Sequence, residues 1–522
     1  MTPPVLHIEG VTKRFGDTLA NDSVSIELAR GEVLALLGEN GAGKTTLMNI
    51  LFGHYAADLG SVSVQGELLP PGKPRAAIKA GVGMVHQHFS LAPNLTVLEN
   101  IMTGTQPVWR WRSDTRAART RIAAIVERFG LPVEPDARVA DLSVGEQQRV
   151  EILKALYNDA KVLILDEPTA VLTNLEAEHL FTTLRIMASE GLSLIFISHK
   201  LNEVMNASDR VVVMRAGAVV AERNTADTNK AELAELMVGR RVTRPVRTPS
   251  QPGKLTLQAS GVNVAGKLSD VNFQVHAGEI LGIVGVAGNG QSALSELLCG
   301  VLRATGGTLN LCGLPYPQGD VPALLREGVA RIPEDRSTAG VIGDLSLWEN
   351  VILERCADKH FARHGLIQRK SCRDHTAQIL TAFDVRGGGP DHRARLLSGG
   401  NIQKLILGRN LHAAQKLLIA AQPTRGLDEG AVAAVHTRLL QARNEGTAVL
   451  LISEDLDEIM LLADRIQAIV RGRLSASVDA GQADARQLGL MMAGDWGMGD
   501  KTDNTLASGA GSVETGGSDH AV

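Results

Sequence analysis

A segment near the start of the chain returns in similar form in its second half, and this duplication constrains the fold more than any other feature. The segment GEVLALLGENGAGKTTL begins at Gly31 and its counterpart GEILGIVGVAGNGQSAL begins at Gly278, an offset of 247 residues. Further pairs of similar segments follow in the same order, starting at Leu95 and Leu345, Leu142 and Leu397, Val162 and Leu417, Ser198 and Ser453, and Met237 and Met492. Solenoid repeats have periods of roughly 20 to 50 residues, so these pairs indicate two copies of one domain.

Each copy has the apolar pattern of an α/β fold. Short apolar runs such as residues 162–165 (VLIL) and 194–197 (LIFI) are typical of strands buried on both faces. Helical stretches alternate with them, which predicts a mainly parallel sheet flanked by helices. Prolines interrupt the junction between the copies, and Gly, Ser, Thr and Asp dominate the C-terminal end. We therefore predict a first domain over residues 1–242, a linker over 243–253, a second domain over 254–495 and a disordered tail over 496–522.

The first copy contains a phosphate-binding loop. Residues 38–45 (GENGAGKT) match the pattern G-x-x-x-x-G-K-[ST] and lie between an apolar run and a helical pattern. Its glycines let backbone N–H groups converge on phosphate oxygens, while Lys44 supplies a positive charge and Thr45 a hydroxyl ligand for magnesium. The predicted nucleotide-binding residues are Gly38, Glu39, Asn40, Gly41, Ala42, Gly43, Lys44, Thr45 and Thr46.

Two carboxylates follow the apolar run at residues 162–165. Asp166 and Glu167 are thereby placed at the carboxyl edge of the predicted sheet, where open α/β folds bind ligands. One of them can serve a metal ion and the other a water molecule. Such acids are also common as loop residues, but their combination with Lys44 favours hydrolysis of a bound nucleotide.

The chain resembles the ABC ATPases along its whole first copy. Residues 142–147 (LSVGEQ) look like the signature motif of that family. The other motif positions match in order, with Phe15 at the adenine-stacking position, Gln87 in the Q-loop and His199 as the switch histidine. The resemblance implies two P-loop ABC ATPase domains in tandem, each a mainly parallel sheet with flanking helices and a helical subdomain. It also implies ATP and Mg²⁺ as cofactors.

The same resemblance implies roles for the matched residues. The implied catalytic residues are Lys44, Gln87, Glu167 and His199, and the implied Mg²⁺ ligands are Thr45, Gln87 and Asp166. In this family two domains enclose ATP head to tail, so each site takes its P-loop from one domain and its signature from the other.

The second copy has lost most of the residues that handle ATP. Gln291 stands where the first copy has Lys44, and the positions of Gln87, Asp166, Glu167 and His199 are taken by Glu334, Ala421, Gln422 and Glu454. This copy nevertheless has the better signature, formed by Ser398, Gly399, Gly400 and Asn401, and it keeps Asp428 in its D-loop, where the first copy has Thr173. Every intact element therefore belongs to the composite site of the first P-loop and the second signature.

The other composite site is degenerate. It would combine Gly285, Gly288, Gly290, Gln291 and Ser292 with Ser143 and Gly145 of the first signature. Its glycines preserve a nest of backbone N–H groups, which favours binding of nucleotide without hydrolysis. A structural remnant that binds no nucleotide is the alternative.

Two further motifs of the second copy, residues 333–336 (PEDR) and 423–426 (PTRG), resemble the ATPase subunits of bacterial simple-sugar and nucleoside importers. Residues 85–97 (VHQHFSLAPNLTV) and 420–423 (AAQP) look more like the nucleoside branch. The resemblance implies that the chain powers import through two membrane-spanning permease subunits and, through them, an extracytoplasmic substrate-binding protein. It further implies a peripheral position on the cytoplasmic face of the cell membrane.

Charge and hydropathy bear on the competing functions. The net charge of -4 provides no general basic surface for nucleic acid, and we interpret the basic stretch at residues 109–112 (WRWR) as a solvated helix face. The sequence has no secretion signal and no apolar run long enough to span a membrane, so we expect membrane association through partners. The rival hypothesis is a soluble tandem ABC translation factor acting on the ribosome. Such factors usually have a long charged linker and two complete ATP sites, unlike this chain.

Overall fold

The computed structural model describes residues 3–39, 41–86, 89–105, 114–169, 172, 174–198, 200–239, 245–249, 251–412 and 415–496. The chain divides into two compact units. Unit 1 comprises Met1–Pro249, Ala330–Gln415 and Gln422–Glu445, and unit 2 comprises Ser250–Val329, Lys416–Ala421 and Gly446–Val522. Unit 1 therefore contains the first copy together with two segments of the second copy. The predicted tail lies outside the described residues, apart from Trp496.

The first copy has ten strands and eight α-helices in the described ranges. The strands are β1 (Leu6–Phe15), β2 (Thr18–Leu28), β3 (Val33–Leu37), β4 (Leu59–Val64), β5 (Glu67–Leu68), β6 (Val82–Val85), β7 (Val162–Asp166), β8 (Ser193–Ile197), β9 (Arg210–Arg215) and β10 (Ala218–Asn224). The helices are α1 (Lys44–Phe52), α2 (Pro74–Lys79), α3 (Val97–Met102), α4 (Thr115–Phe129), α5 (Val144–Tyr157), α6 (Asn174–Ser189), α7 (Leu201–Ala207) and α8 (Lys230–Val238).

The second copy repeats this order with a few additional short strands. Its strands are β11 (Leu255–Val264), β12 (Leu268–His276), β13 (Ile280–Val284), β14 (Gly306–Leu311), β15 (Leu314–Pro315), β16 (Val329–Ile332), β17 (Ala362–Arg363), β18 (Leu366–Ile367), β19 (Leu417–Ala421), β20 (Ala448–Ser453), β21 (Arg465–Val470), β22 (Arg473–Leu474) and β23 (Val478–Asp479). Its helices are α9 (Gln291–Leu298), α10 (Val321–Arg326), α11 (Leu347–Ile352), α12 (Arg369–Ala382), α13 (Gly399–Leu411), α14 (Glu429–Asn444), α15 (Leu456–Leu462) and α16 (Ala485–Met492).

In the first copy a six-stranded sheet has the order β10-β9-β3-β8-β7-β6, and every neighbouring pair is parallel except β10 and β9. A separate antiparallel sheet has the order β2-β1-β4-β5. The alternating residues of β3 enter two different cores. Val33, Ala35 and Leu37 join a core with the helices α3 to α5, whereas Leu34 and Leu36 face the antiparallel sheet. This burial on both faces explains the continuous apolar runs and confirms the mainly parallel α/β prediction.

The second copy is distributed over both units. Unit 2 contains the parallel strands β19-β20-β13-β21 and the antiparallel sheet β12-β11-β14-β15. Unit 1 contains α11 to α14 and the short β17–β18 hairpin, while β16 crosses the division. The second signature therefore belongs to the same compact unit as the first P-loop. None of the described helices combines the length and apolar character that crossing a bilayer requires.

Candidate functional site

The first P-loop connects β3 to α1, and the start of α1 has no side-chain cap. Gly43 precedes α1 with φ 95°, and no side chain caps the helix. A Cβ atom at Gly43 would lie 2.2 Å from the carbonyl O of Ala20, so only glycine fits this position. Asn21, which the sequence did not reveal, is fully buried and donates from Nδ2 to the Gly43 carbonyl at 3.1 Å. The helix start is thus held in place with its N–H groups available to an anion.

Lys44 is buried inside this loop. Its Nζ donates to the carbonyl O of Gly38 at 2.7 Å and to that of Glu39 at 3.0 Å, with 7% of the residue exposed. Burial lowers the pKa of Lys44, and nearby carboxylates, Glu167 and Asp166 foremost, oppose this effect. The ammonium therefore has two carbonyl acceptors and the influence of nearby carboxylates.

The two predicted carboxylates lie at the end of β7. Asp166 is 8% exposed, and burial together with the neighbouring charge of Glu167 raises its pKa to about 6. Glu167 has a left-handed backbone with φ 47°, and its N–H donates to the carbonyl O of Ile197 at 3.0 Å. Such backbone conformations of non-glycine residues concentrate at functional sites. The end of β7 thus brings two adjacent carboxylates near the Lys44 ammonium.

Replacing Asp166 by asparagine is expected to stabilise the nucleotide-free protein more at pH 7.5 than at pH 5. The pKa of about 6 exceeds the ordinary value of 3.8. Between pH 3.8 and pH 6 the folded protein therefore binds more protons than the unfolded chain. The stability of the folded protein falls as the pH rises through this window. The attraction of Lys44 is already included in this pKa, and at about 1.4 kcal/mol per pKa unit the gain at pH 7.5 is on the order of 1–3 kcal/mol. Urea denaturation of both proteins at each pH measures the difference. An equal gain at both pH values would contradict this origin.

The hydroxyl groups of the two signature serines make different hydrogen bonds. Ser143 caps α5 in a capping box, because its Oγ accepts from the Glu146 N–H at 3.3 Å and donates to Glu146 Oε2 at 2.8 Å. Ser398 does not cap α13, and its Oγ accepts from Asn401 Nδ2 at 2.9 Å. Hydrogen bonds from Ser143 lower the pKa of Glu146, so the first signature carries an anion where the second has a neutral amide. The two signatures therefore differ in charge at this position.

The second copy's D-loop lies beside the first P-loop within unit 1. A Cβ atom at Gly430, near the start of α14, would lie 2.9 Å from Glu39 Oε1. Asp428 caps α14 by accepting from the Ala431 N–H at 2.9 Å, and its charge contributes to the pKa of Lys44. The structure thus brings residues of the second copy to the intact P-loop, as a composite site requires.

The second P-loop keeps its shape without the lysine. Gln291 is buried and donates from Nε2 to the carbonyl O of Val286 at 2.8 Å, the position that corresponds to Glu39. Gly288 and Gly290 have φ values of 84° and 111°, close to the 86° and 95° of Gly41 and Gly43. The amide of Gln291 therefore makes the same kind of contact with a loop carbonyl as the Lys44 ammonium does, but it carries no charge. Gly285 and Ser292 flank this loop in unit 2.

The stacking of Phe15 on adenine stays a prediction. Phe15 ends β1 with 44% of its surface exposed, and its ring meets the edge of Tyr55 with centroids 5.4 Å apart at 73°. Tyr55 was not found from the sequence, because it lies outside any motif. Asn40, Gln87 and His199 lie outside the described residues, so their predicted roles stay predictions.

The residues present fit Mg²⁺. Thr45 is exposed in the first turn of α1, and its hydroxyl group and the Asp166 carboxylate are the hard oxygen donors that Mg²⁺ prefers. Usually only one or two protein groups bind this ion beside the nucleotide phosphates, so the small number of ligands is expected.

Comparisons with known proteins agree with the fold and the motifs. The family model described as ABC transporter matches residues 21–170 and 268–425. The guanosine import ATP-binding protein NupO of Bacillus subtilis is 43% identical, with 94% of this chain and 97% of NupO covered. The glucose import ATP-binding protein TsgD13 of Haloferax volcanii is 42% identical, with 94% and 96% covered.

A solved structure is similar in fold alone. The archaeal ribosome recycling factor aABCE1, in complex with the ribosomal stalk protein aP1, has a TM-score of 0.61 at 18% identity, with 92% of each chain covered. The predicted fold class, ATPase activity and resemblance to import ATP-binding proteins are confirmed by the family match and the relatives. The chain belongs to the ABC transporter family and carries two ATP-binding ATPase domains of that family in one polypeptide.

Proposed function

We propose that the chain is the ATP-hydrolysing subunit that powers import of a nucleoside or simple sugar through two membrane-spanning permease subunits. An extracytoplasmic binding protein would deliver the substrate, and the chain would lie on the cytoplasmic face of the membrane. The observation that carries this proposal is the likeness to import ATP-binding proteins along nearly the whole chain. Relatives that match only one of the two domains would not distinguish importers from other ABC proteins.

In the proposed mechanism, ATP is hydrolysed only at the site of the first P-loop. Lys44 and the uncapped start of α1 bind the phosphates, and Phe15 stacks on the base. Thr45, Gln87 and Asp166 would hold Mg²⁺, which would neutralise charge on the phosphates. Glu167 orients or deprotonates the attacking water, and His199 acts as the switch histidine. Ser398, Gly399, Gly400 and Asn401 complete the site from the second copy.

Nucleosides are the preferred substrate class. The guanosine import relative and the two sequence segments typical of the nucleoside branch support this choice, although a glucose import relative is equally similar. Uptake of labelled guanosine, glucose and ribose by a deletion strain, with and without the restored gene, tests it. Loss of guanosine uptake alone is expected, and loss of sugar uptake alone would replace nucleosides by sugars.

The same strain tests import against action on the ribosome. A tagged chain is expected to co-purify with membrane proteins encoded in the same genome and to sediment away from ribosomes. Co-sedimentation with ribosomes, with all uptake unchanged, would favour the translation-factor hypothesis. The similarity to the ribosome recycling factor concerns the fold and does not support that hypothesis by itself.

The degenerate site is expected to bind nucleotide without hydrolysing it, since Gln291 preserves the loop while its neutral amide and the loss of both carboxylates prevent chemistry. The Glu167→Gln variant, incubated with labelled ATP and Mg²⁺ and then desalted, is expected to retain two ATP molecules per chain. Retention of one would support a structural remnant. The matched control adds Gly290→Arg, which fills the second loop with a side chain. It should reduce the number of retained ATP molecules from two to one per chain.

A further inference from the structure

Arg336 connects two loops of the second copy within unit 1. It begins the short π-helical turn Arg336–Gly340, which the Asp335 side chain caps. Its Nη1 donates to the carbonyl O of Arg425 at 2.5 Å, and its Nη2 donates to that of Gly426 at 3.3 Å. Both carbonyl groups belong to the D-loop that leads into α14. The planar guanidinium thus fixes the backbone of that loop at two points.

The same guanidinium lies against the second signature. A Cβ atom at Gly399 would be 2.7 Å from Arg336 Nη2, closer than real Cβ contacts, and 3.0 Å from Nε, so the guanidinium would have to move. Gly399 is therefore required for Arg336 to occupy its position. It lies between Ser398 and Gly400, with which it completes the ATP site in the proposed function.

A second contact fixes the D-loop from the same side. Arg425 forms an ion pair with Glu334, with Nη1 and Oε1 2.5 Å apart. Glu334 stands at the Q-loop position of the degenerate copy, where Gln87 stands in the first copy. This ion pair therefore joins the Q-loop position of the second copy to its D-loop.

The D-loop reaches the intact P-loop. Asp428 follows Gly426 closely in sequence, caps α14 and contributes its charge to the surroundings of Lys44. Gly430 in the first turn of α14 approaches Glu39. A shift of the D-loop would therefore change the surroundings of the γ-phosphate from the second copy's side.

The first copy lacks all of these residues. By the same offsets, Phe89 stands at the position of Arg336, Val144 at that of Gly399, and Ala170 at that of Arg425. Val144 is exposed, whereas Gly399 is covered by the guanidinium. The arginine and the glycine that makes room for it occur together in the copy that supplies the signature of the complete site.

We propose that Arg336 is a positioning residue for the one complete ATP site, because it joins the second signature to the D-loop so that Ser398 and Asp428 approach the nucleotide as one rigid element. This inference rests on the proposed composite site. The residue touches neither nucleotide nor water in this role, and it acts through the two loops that it connects.

Steady-state ATPase kinetics of the full chain test the proposal. Arg336→Ala is expected to lower kcat about 10- to 100-fold, as a displacement of about 1 Å at a reacting centre does. ADP binding, which depends on the first P-loop, and the melting temperature should remain close to those of the wild type. Arg336→Gln keeps one side-chain donor group, so its kcat should lie between those of the wild type and of Arg336→Ala. Arg395→Ala, which removes an exposed arginine three residues before Ser398, is the matched control and should keep the wild-type kcat.

Two outcomes would overturn the inference. One is a wild-type kcat in Arg336→Ala, and the other is a loss of ADP binding and melting temperature in both Arg336 variants, which would indicate a purely structural role. Ser398→Arg measured in the same series separates the two proposals. An inactive Ser398→Arg with an active Arg336→Ala contradicts only the positioning role, whereas an active Ser398→Arg contradicts the composite site itself.

Discussion

Ser398→Arg is expected to abolish ATP hydrolysis, with turnover reduced about 100-fold or more, whereas Ser143→Arg should reduce it less than about threefold. An arginine at Ser398 places bulk at the γ-phosphate of the only site with a P-loop lysine. At Ser143 the same change affects a site that already lacks the lysine and both carboxylates. ATPase assays of the two purified variants, with nucleotide binding as a check of folding, measure the difference.

The variant that keeps more ATPase activity, Ser143→Arg, should be the less stable of the two. Ser143 caps α5 and exchanges hydrogen bonds with Glu146, whereas Ser398 does not cap its helix. Loss of a serine cap costs about 1 kcal/mol, so Ser143→Arg should unfold at a lower urea concentration than Ser398→Arg.

Equal loss of ATPase activity in the two variants would contradict the asymmetric assignment of the sites.

Glu167→Gln is expected to lower turnover about 10²- to 10⁴-fold while ATP binding is preserved, because it removes the carboxylate beside the intact P-loop without changing side-chain size. The backbone tolerates the change, since Gln422 occupies the equivalent position of the second copy with the same φ of 47° as Glu167. Single-turnover hydrolysis and equilibrium ATP binding measure the two effects separately.

Gln422→Glu is the reciprocal control for this prediction. It returns a carboxylate to the degenerate site, where Gln291 still lacks the charge of a lysine. The double variant Glu167→Gln, Gln422→Glu should therefore hydrolyse ATP no faster than Glu167→Gln alone. Near-normal turnover of Glu167→Gln would show that another group acts on the water.

Several features of the molecule follow from local patterns in the sequence. The duplicated segments indicate two domains, and the continuous apolar runs predict strands such as β7 and β8 because parallel strands are buried on both faces. The loop before α1 and the acids after β7 were found because phosphate and metal binding require particular residues at short, fixed spacings. The replacement of Lys44 by Gln291 in the second copy can likewise be recognised without coordinates.

Other features depend on contacts between distant residues and were decided only by the tertiary structure. Asn21 is buried and donates to the carbonyl O of Gly43 in the P-loop across 22 positions of sequence. The pKa of Asp166 depends on burial within the folded sheet. Arg336 meets Gly426 across 90 positions of sequence, and no periodicity or motif spacing reports such a contact. Local chemistry therefore determined which residues can handle a nucleotide, and long-range packing determined which of them are held together.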